Sequence, residues 1–282
     1  MKKRVLIPTD FSKNALNAIR FGLDLYLRRN CEFYFLNVYQ VKVYSLDNMM
    51  VPEPGDNAYE AAKQESADGF SRLMDILSLR PKNQRHEYHT VSSYNSLLDA
   101  MKGIIAEKDI DIVIMGTKGA TGAKAVIFGT NTVMAMEKIT ECPVLAIPEE
   151  YRFTSPQEIV FPTNYKTDFK RRELQHLLEI VDMYGATIHI LHIEQKSSLT
   201  PSQKRKKKLL EDILGAYPYE HHRLEGIKVH QGIYMFLEIR KSDMIAFVNK
   251  KHLFFGSILS NPLVKEMGYE AKIPVFVLND KT

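Results

Sequence analysis

The chain is written twice. Residues 4–10 read RVLIPTD and residues 158–164 read EIVFPTN, each a short apolar run that ends in Pro-Thr followed by Asp or Asn. In each half a helical pattern follows, over 12–28 and 167–184. A second apolar run comes next, FYFLNV at 33–38 and TIHILHI at 187–193. Late in each half stands an Asp-led run (111–115 and 243–248), then Gly-Thr at 129–130 or Gly-Ser at 256–257. A Pro-led apolar run closes the half, at 143–147 and 274–278. Ordered recurrence at a spacing of roughly 150 residues is a tandem domain duplication, not a short solenoid repeat. Strands alternating with helices predict an α/β fold with a parallel sheet covered on both faces. Near-continuous apolar runs suit strands buried on both sides. The expected boundary is the charged and polar stretch 149–155, dividing the chain into domains 1–150 and 151–282.

Bulk properties remove several alternatives. A chain of 282 residues suits one large domain or two ordinary ones. The net charge of +4 is slight and both signs are spread along the chain, so neither a nucleic-acid nor a membrane-surface partner is expected. The start, MKKRVLIPTD, resembles a signal peptide only until Pro8 and Asp10, and no 18-residue apolar run predicts a membrane span. Cys31 and Cys142 read as core thiols of a reducing compartment, so a cytoplasmic location is expected.

Residues 110–132, IDIVIMGTKGATGAKAVIFGTNT, are the most informative stretch for function. An apolar strand runs through Met115 into Gly116; Gly119 follows after two residues and Gly129 after nine more, and Thr130 then opens a helical stretch. Glycines let a backbone turn tightly and approach a ligand closely. A new helix N-terminus offers N–H groups and partial positive charge to an anion. In doubly wound sheets the ligand crevice lies beyond the carboxyl ends of strands. The Pro8–Asp10 turn, the end of the second strand at Val38 and the loop from Gly116 all fall at such ends.

These residues together resemble a tandem universal stress protein over essentially the whole chain. The family's Gly-x2-Gly-x9-Gly-(Ser/Thr) motif is matched by Gly116, Gly119, Gly129 and Thr130, the strand-end Pro-Thr-Asp by Pro8, Thr9 and Asp10, and the final strand by Cys-Pro-Val-Leu at 142–145. The resemblance implies two domains, each with a five-stranded parallel sheet in the order 3-2-1-4-5. It also implies an ATP (or ADP or AMP) site in the first half. There Pro8, Thr9 and Asp10 would lie by the adenosine, and Val38 would meet the adenine through its backbone. Met115, Gly116, Lys118 and Gly119 would line the loop, while Gly129, Thr130 and Asn131 would give donors to the phosphates. Asp10 would help to hold Mg²⁺. The resemblance further implies that the closing strands pair across a two-fold or pseudo-two-fold interface. The two halves would then pair within one chain, and two chains could associate further as a homodimer.

The second half departs from the pattern. Asn164 replaces Asp10, and after Val248 the chain reads NKKHLFFGSILS, so only Gly256 and Ser257 of the motif remain. This half is expected to have lost ATP binding, with His252, Phe254 and Phe255 packing within the fold or at an interface. The run KRKKK at 204–208 reads as a solvated helix face after a Thr-Pro-Ser start. The nine histidines show no zinc spacing; His189 and His192 should face opposite ways or pack loosely, and His221 and His222 should lie at the surface. The irregular stretch 41–57, with Met49 and Met50, is expected to be a lid or an interface. No general base stands out near the phosphates, so at most slow ATP hydrolysis is expected. The leading expectation is a nucleotide-binding stress or signalling protein, acting through an unidentified protein partner. The alternatives are a nucleotide-independent interaction scaffold and a weak ATPase.

Overall fold

The apolar runs become the interior strands of a single sheet. The computed structural model describes residues 2–40, 54–117, 128–194, 198–249 and 272–279. The first half runs β1 (Lys3–Pro8), α1 (Lys13–Leu25), β2 (Cys31–Val38), α2 (Asn57–Ser78), β3 (His86–Ser93), α3 (Leu97–Lys108), β4 (Ile112–Gly116), α4 (Thr130–Lys138) and β5 (Val144–Ile147). The second runs β6 (Glu158–Pro162), α5 (Arg171–Tyr184), β7 (Thr187–Glu194), α6 (Pro201–Leu214), β8 (Tyr219–Glu225), α7 (Val229–Arg240), β9 (Met244–Asn249) and β10 (Val275–Asn279). The sheet order is β3-β2-β1-β4-β5-β10-β9-β6-β7-β8. Each half is thus parallel, in the order 3-2-1-4-5, and the α/β doubly wound fold expected from the sequence is the one observed. The order reverses between β1 and β4, which sets the crevice at the carboxyl ends of those strands. No helix among the described residues is long and apolar enough to cross a membrane.

The halves meet at an antiparallel seam. Val275 stands opposite Ala146, Phe276 opposite Leu145 and Val277 opposite Val144. The apolar layer on one face crosses this seam without a break, from Ile7 and Phe33 through Leu145 and Phe276 to Phe161 and Ile188. The outermost strands, β3 (HEYHTVSS) and β8 (YEHHRLE), are largely polar and partly exposed, as sheet edges that must avoid further pairing should be.

Local chemistry places the helix starts. Ser12 caps α1 by accepting from the Ala15 N–H. Thr200 and Gln203 form a reciprocal capping box at α6, with Pro201 in its first turn. The basic run at 204–208 lies on that helix; Lys204, Arg205 and Lys208 are exposed, while Lys206 turns back to donate to the Lys166 carbonyl at 2.6 Å. Helix α5 begins at Arg171, later than the 167 read from the sequence, because the Glu173 carboxylate accepts the Lys170 N–H and fixes the first turn there. The histidines need one correction. His189 and His192 do lie on opposite faces, but both are buried, against Phe236 and Tyr165 respectively. His221 is exposed as expected; His222 is half-buried and leans on Phe236.

Directed polar contacts join the halves. Asn279 Nδ2 donates to the Cys142 carbonyl at 2.5 Å and Asn249 Nδ2 to the Met136 carbonyl at 2.9 Å. The Tyr184 hydroxyl donates to the Leu25 carbonyl. Lys3 of β1 reaches Glu179 of α5 at 2.5 Å and donates to His176 Nδ1 at 3.0 Å. Burial lowers the pKa of His176, which suits a neutral ring accepting from the ammonium. Burial pushes the Glu179 carboxyl up, but hydrogen bonding and the Lys3 charge outweigh it and hold the pKa down at about 2. A folded-state pKa below the unfolded value contributes stability that is present above about 4.5 and lost as pH falls toward about 2. Glu179→Gln should therefore cost about 3 kcal/mol at pH 7. The gap to wild type should close in urea titrations repeated at falling pH; a constant gap would remove this ion pair from the interface energetics.

Candidate functional site

The crevice at the end of β1 is built on a strained turn. Phe11 has φ +59°, a left-handed conformation that costs a non-glycine residue about 1–2 kcal/mol. Three features hold it. Thr9 Oγ1 accepts the Phe11 N–H at 3.0 Å, and Asp10 Oδ1 accepts the Ser12 N–H at 3.1 Å. The Phe11 ring packs edge-on against Phe70, directly over Gly69, where a Cβ would come within 2.2 Å of it. The residues Pro8 and Thr9 are buried, whereas Asp10 is exposed at the rim. The second half repeats the turn. Tyr165 has φ +52°, Thr163 Oγ1 accepts the Tyr165 N–H at 3.1 Å, and Asn164 Oδ1 accepts the Lys166 N–H at 2.9 Å. Asp10 and Asn164 thus perform the same backbone task. What Asp10 adds is a charge.

Neighbouring strands complete the floor. Thr9 N–H donates to the Leu36 carbonyl at 2.8 Å, and Asn37 Nδ2 donates to the Thr9 carbonyl at 2.8 Å. Val38, half-buried, ends β2 beside it. In the second half the ring nitrogen Nδ1 of His192 takes the place of Asn37, 2.8 Å from the Thr163 carbonyl. At the end of β4, Met115, Gly116 and Thr117 are buried. A Cβ on Gly116 would lie 2.6 Å from Oδ1 of Asn14, which is itself buried. Close helix–strand packing therefore requires this glycine whatever the ligand. By strand register its counterpart in the second half is Val248.

Two hydrogen bonds pin α4 to β4. Gly129 N–H donates to the Thr117 carbonyl at 2.7 Å, and Thr132 Oγ1 donates to the Gly116 carbonyl at 2.8 Å. Thr117 and Gly129, the two ends of the glycine-rich segment, are thereby brought together. Gly129 caps α4 with φ −64° and ψ 153°, and Thr130 and Asn131, both exposed, form its first turn. The structure thus gathers Pro8, Thr9, Asp10, Val38, Met115, Gly116, Gly129, Thr130 and Asn131 at the carboxyl ends of β1, β2 and β4. Lys118 and Gly119 lie outside the described residues. So do His252, Phe254, Phe255, Gly256 and Ser257, and most of 41–57 with Met49 and Met50.

The sequence reading missed several residues that shape this crevice. Asn37 and Thr132 fix its backbone and Asn14 packs against Gly116; polar residues inside otherwise apolar elements were the available signal. Tyr39, Tyr59 and Tyr94 form a ring cluster beside the ends of β2 and β3, with centroids 5.0–5.8 Å apart. Burial, then the hydrogen bond to Tyr59, pushes the Tyr39 hydroxyl up to about 12, so it stays protonated in physiological buffers.

Comparison with known proteins agrees with this architecture. The family model described as the Universal stress protein family matches residues 1–148. Universal stress protein MJ0531 of Methanocaldococcus jannaschii is 23% identical over 155 residues, covering 51% of this chain and 81% of the relative. Among solved structures, a universal stress protein from Archaeoglobus fulgidus superposes with a TM-score of 0.69 at 14% identity, covering 98% of each chain. A putative universal stress protein from Pseudomonas aeruginosa gives a TM-score of 0.59 at 12% identity, covering 99% of this chain and 93% of its own. The structural likenesses speak to the fold across both halves, and the family match to the first. On that match, and on the Pro-Thr-Asp turn and glycine-led helix start just described, the chain belongs to the universal stress protein family.

Proposed function

We propose that the first half binds an adenine nucleotide, with ATP the expected form and Mg²⁺ accompanying it. The protein would then act as a nucleotide-dependent module in stress response or signalling, not as a dedicated enzyme. The observation that supports this most is the Gly129–Thr117 hydrogen bond, which seats the start of α4 at the mouth of the β1/β4 switch point. Peptide N–H groups at such a start, with the Thr130 hydroxyl, suit phosphate oxygens. Gly116, packed against Asn14, and the buried Thr9 bring the strand ends close to that helix start. Asp10 would help to hold Mg²⁺ at the rim, a role Asn164 cannot copy. Bound nucleotide would bias the protein between surfaces offered to a partner, which requires different affinity for the two states.

Two glycines separate binding from folding. Gly129 has an ordinary extended backbone, so Gly129→Val should fold normally while its side chain fills the space proposed for phosphate. Calorimetry should show Mg-ATP affinity reduced more than tenfold, with the melting temperature lowered by no more than the few degrees that a valine at the helix cap costs. A folded variant that binds as wild type does would overturn the assignment. Gly116→Ala should instead destabilise the protein by about 1–3 kcal/mol, because the new Cβ meets Asn14.

The Asp10 prediction follows from the internal repeat. Asp10→Asn keeps the turn, as Asn164 demonstrates, so stability should change by less than about 0.5 kcal/mol. Mg-nucleotide affinity should nevertheless fall. Equal affinity in the two proteins would mean that the carboxylate plays no part. Denaturing the purified protein and weighing what it releases should give about one adenine nucleotide per chain under this reading.

A further inference from the structure

The edge of the second half carries a group of side chains that the nucleotide reading does not use. His189 of β7 and Glu220 of β8 are direct cross-strand partners, and His222 lies two residues along β8 on the same face. Their ligand atoms converge. His189 Nδ1 is 3.0 Å from His222 Nε2 and 3.5 Å from Glu220 Oε2, and His222 Nε2 is 3.4 Å from Glu220 Oε2. Ligands held about 2.0–2.1 Å from zinc at tetrahedral angles stand about 3.3 Å apart, so the three atoms already form one face of such a site. Phe236 of α7 packs against both imidazoles and gives the group an apolar wall.

The surroundings prepare the donors. Glu158 Oε2 lies 2.6 Å from His189 Nε2, on the far side of the ring, though off the direction of a hydrogen bond, so that Nε2 has no hydrogen-bond partner among the described residues. A carboxylate at that separation calls for a proton on Nε2, which leaves the lone pair on Nδ1, facing the other two ligands. Carboxylates beside the outer ring nitrogen orient metal-binding imidazoles in the same sense, and a small rotation of Glu158 would complete that hydrogen bond. His189 itself is 1% exposed, so its ring cannot swing away. The position facing the three donors is approached by a cation of the protein's own. Arg240 Nη2 donates to Glu220 Oε2 at 2.6 Å and lies 3.2 Å from His189 Nδ1, while its buried Nε has no hydrogen-bond partner among the described residues.

The internal repeat provides the control. By register, Tyr34 and His89 occupy in the first half the positions of His189 and Glu220, and Val91 that of His222. Tyr34 and His89 simply stack, with centroids 4.8 Å apart. The same backbone therefore serves without any ligand set, and the fold does not require one here.

We propose that His189, Glu220 and His222 form a binding site for a divalent transition-metal ion of zinc-like preference, with Arg240 standing in as a displaceable cation. Metal entry moves the His222 proton to Nδ1 and swings the Arg240 guanidinium toward solvent. Water takes the fourth position. The proposal is independent of nucleotide binding in the other half.

The test uses the full-length chain without an affinity tag, freed of metal by chelator and titrated with Zn²⁺ in a calorimeter and with Co²⁺ in a spectrophotometer. One ion per chain is expected, with the intense visible bands of four-coordinate cobalt. His222→Ala and Glu220→Gln, both at partly exposed positions, should fold normally by circular dichroism and lose more than tenfold in affinity. Glu158→Gln should weaken binding by about 10–100-fold through His189. Arg240→Ala should tighten it, and the adjacent His221→Ala should leave it unchanged. Wild-type titration curves in folded His222→Ala and Glu220→Gln, or only the faint absorption of six-coordinate cobalt, would overturn the assignment.

Discussion

The antiparallel pairing of β5 with β10 is the constraint on which the rest of the molecule depends. Either strand alone would be an exposed edge of fully apolar residues, Val-Leu-Ala-Ile on one side and Val-Phe-Val-Leu on the other. Such an edge invites aggregation unless it is covered. Joining the two removes both edges at once and leaves only polar β3 and β8 at the margins. The pairing also sets the geometry of function. Because it is antiparallel, the carboxyl ends of the two parallel sets point in opposite directions along the sheet, and each half keeps its own crevice. A slip of one residue would turn every side chain of β10 to the wrong face. Asn279 to the Cys142 carbonyl and Asn249 to the Met136 carbonyl are directional contacts that resist such a slip.

Within this frame the repeat separates what the backbone needs from what a site needs. Both halves use Pro-Thr-Asx followed by an aromatic residue in the left-handed region, and both satisfy it with the same two side-chain acceptors. Both place an aspartate just before the fourth strand that accepts backbone N–H groups at the start of the first, Asp111 from Arg4 and Asp243 from Gln157 and Glu158. These shared residues are architecture. The differences fall at the carboxyl ends of the strands: Asp10 against Asn164 at the rim, Gly116 against Val248 where α1 packs, and Asn37 against His192, each bonded to the threonine carbonyl beside it.

Much of this was legible in the sequence because interior parallel strands must be apolar on both faces. The runs ending at Pro8, Val38, Met115 and Ile147, and their counterparts, stand out for that reason. The edge strands β3 and β8 do not, since a margin that must stay polar carries no hydropathy signal. Gly116 was legible as important but not for its packing reason, because Asn14 is a hundred residues away and only the fold brings it near. The histidine cluster was invisible for the same cause. His189 and His222 belong to different strands, and it is the β7–β8 register, not spacing along the chain, that makes neighbours of them.

Covalent linkage explains how the halves can diverge without separating. Two single domains pairing through their fifth strands would depend on concentration, so each copy would have to retain every feature that stabilises the pair. Placing both in one chain makes the pairing intramolecular and raises the effective concentration of one half at the other. The apolar layer running through Leu145 and Phe276 then ties the stability of the two together. A ligand held at 100 times its Kd in either crevice would add about 2.7 kcal/mol to the folded state it binds. Through a continuous core that gain reaches the strands of the other half as well. A ligand bound to one half of such a chain would therefore raise the stability of the whole, while the other half's affinity for a ligand of its own stays the same as long as the chain is folded.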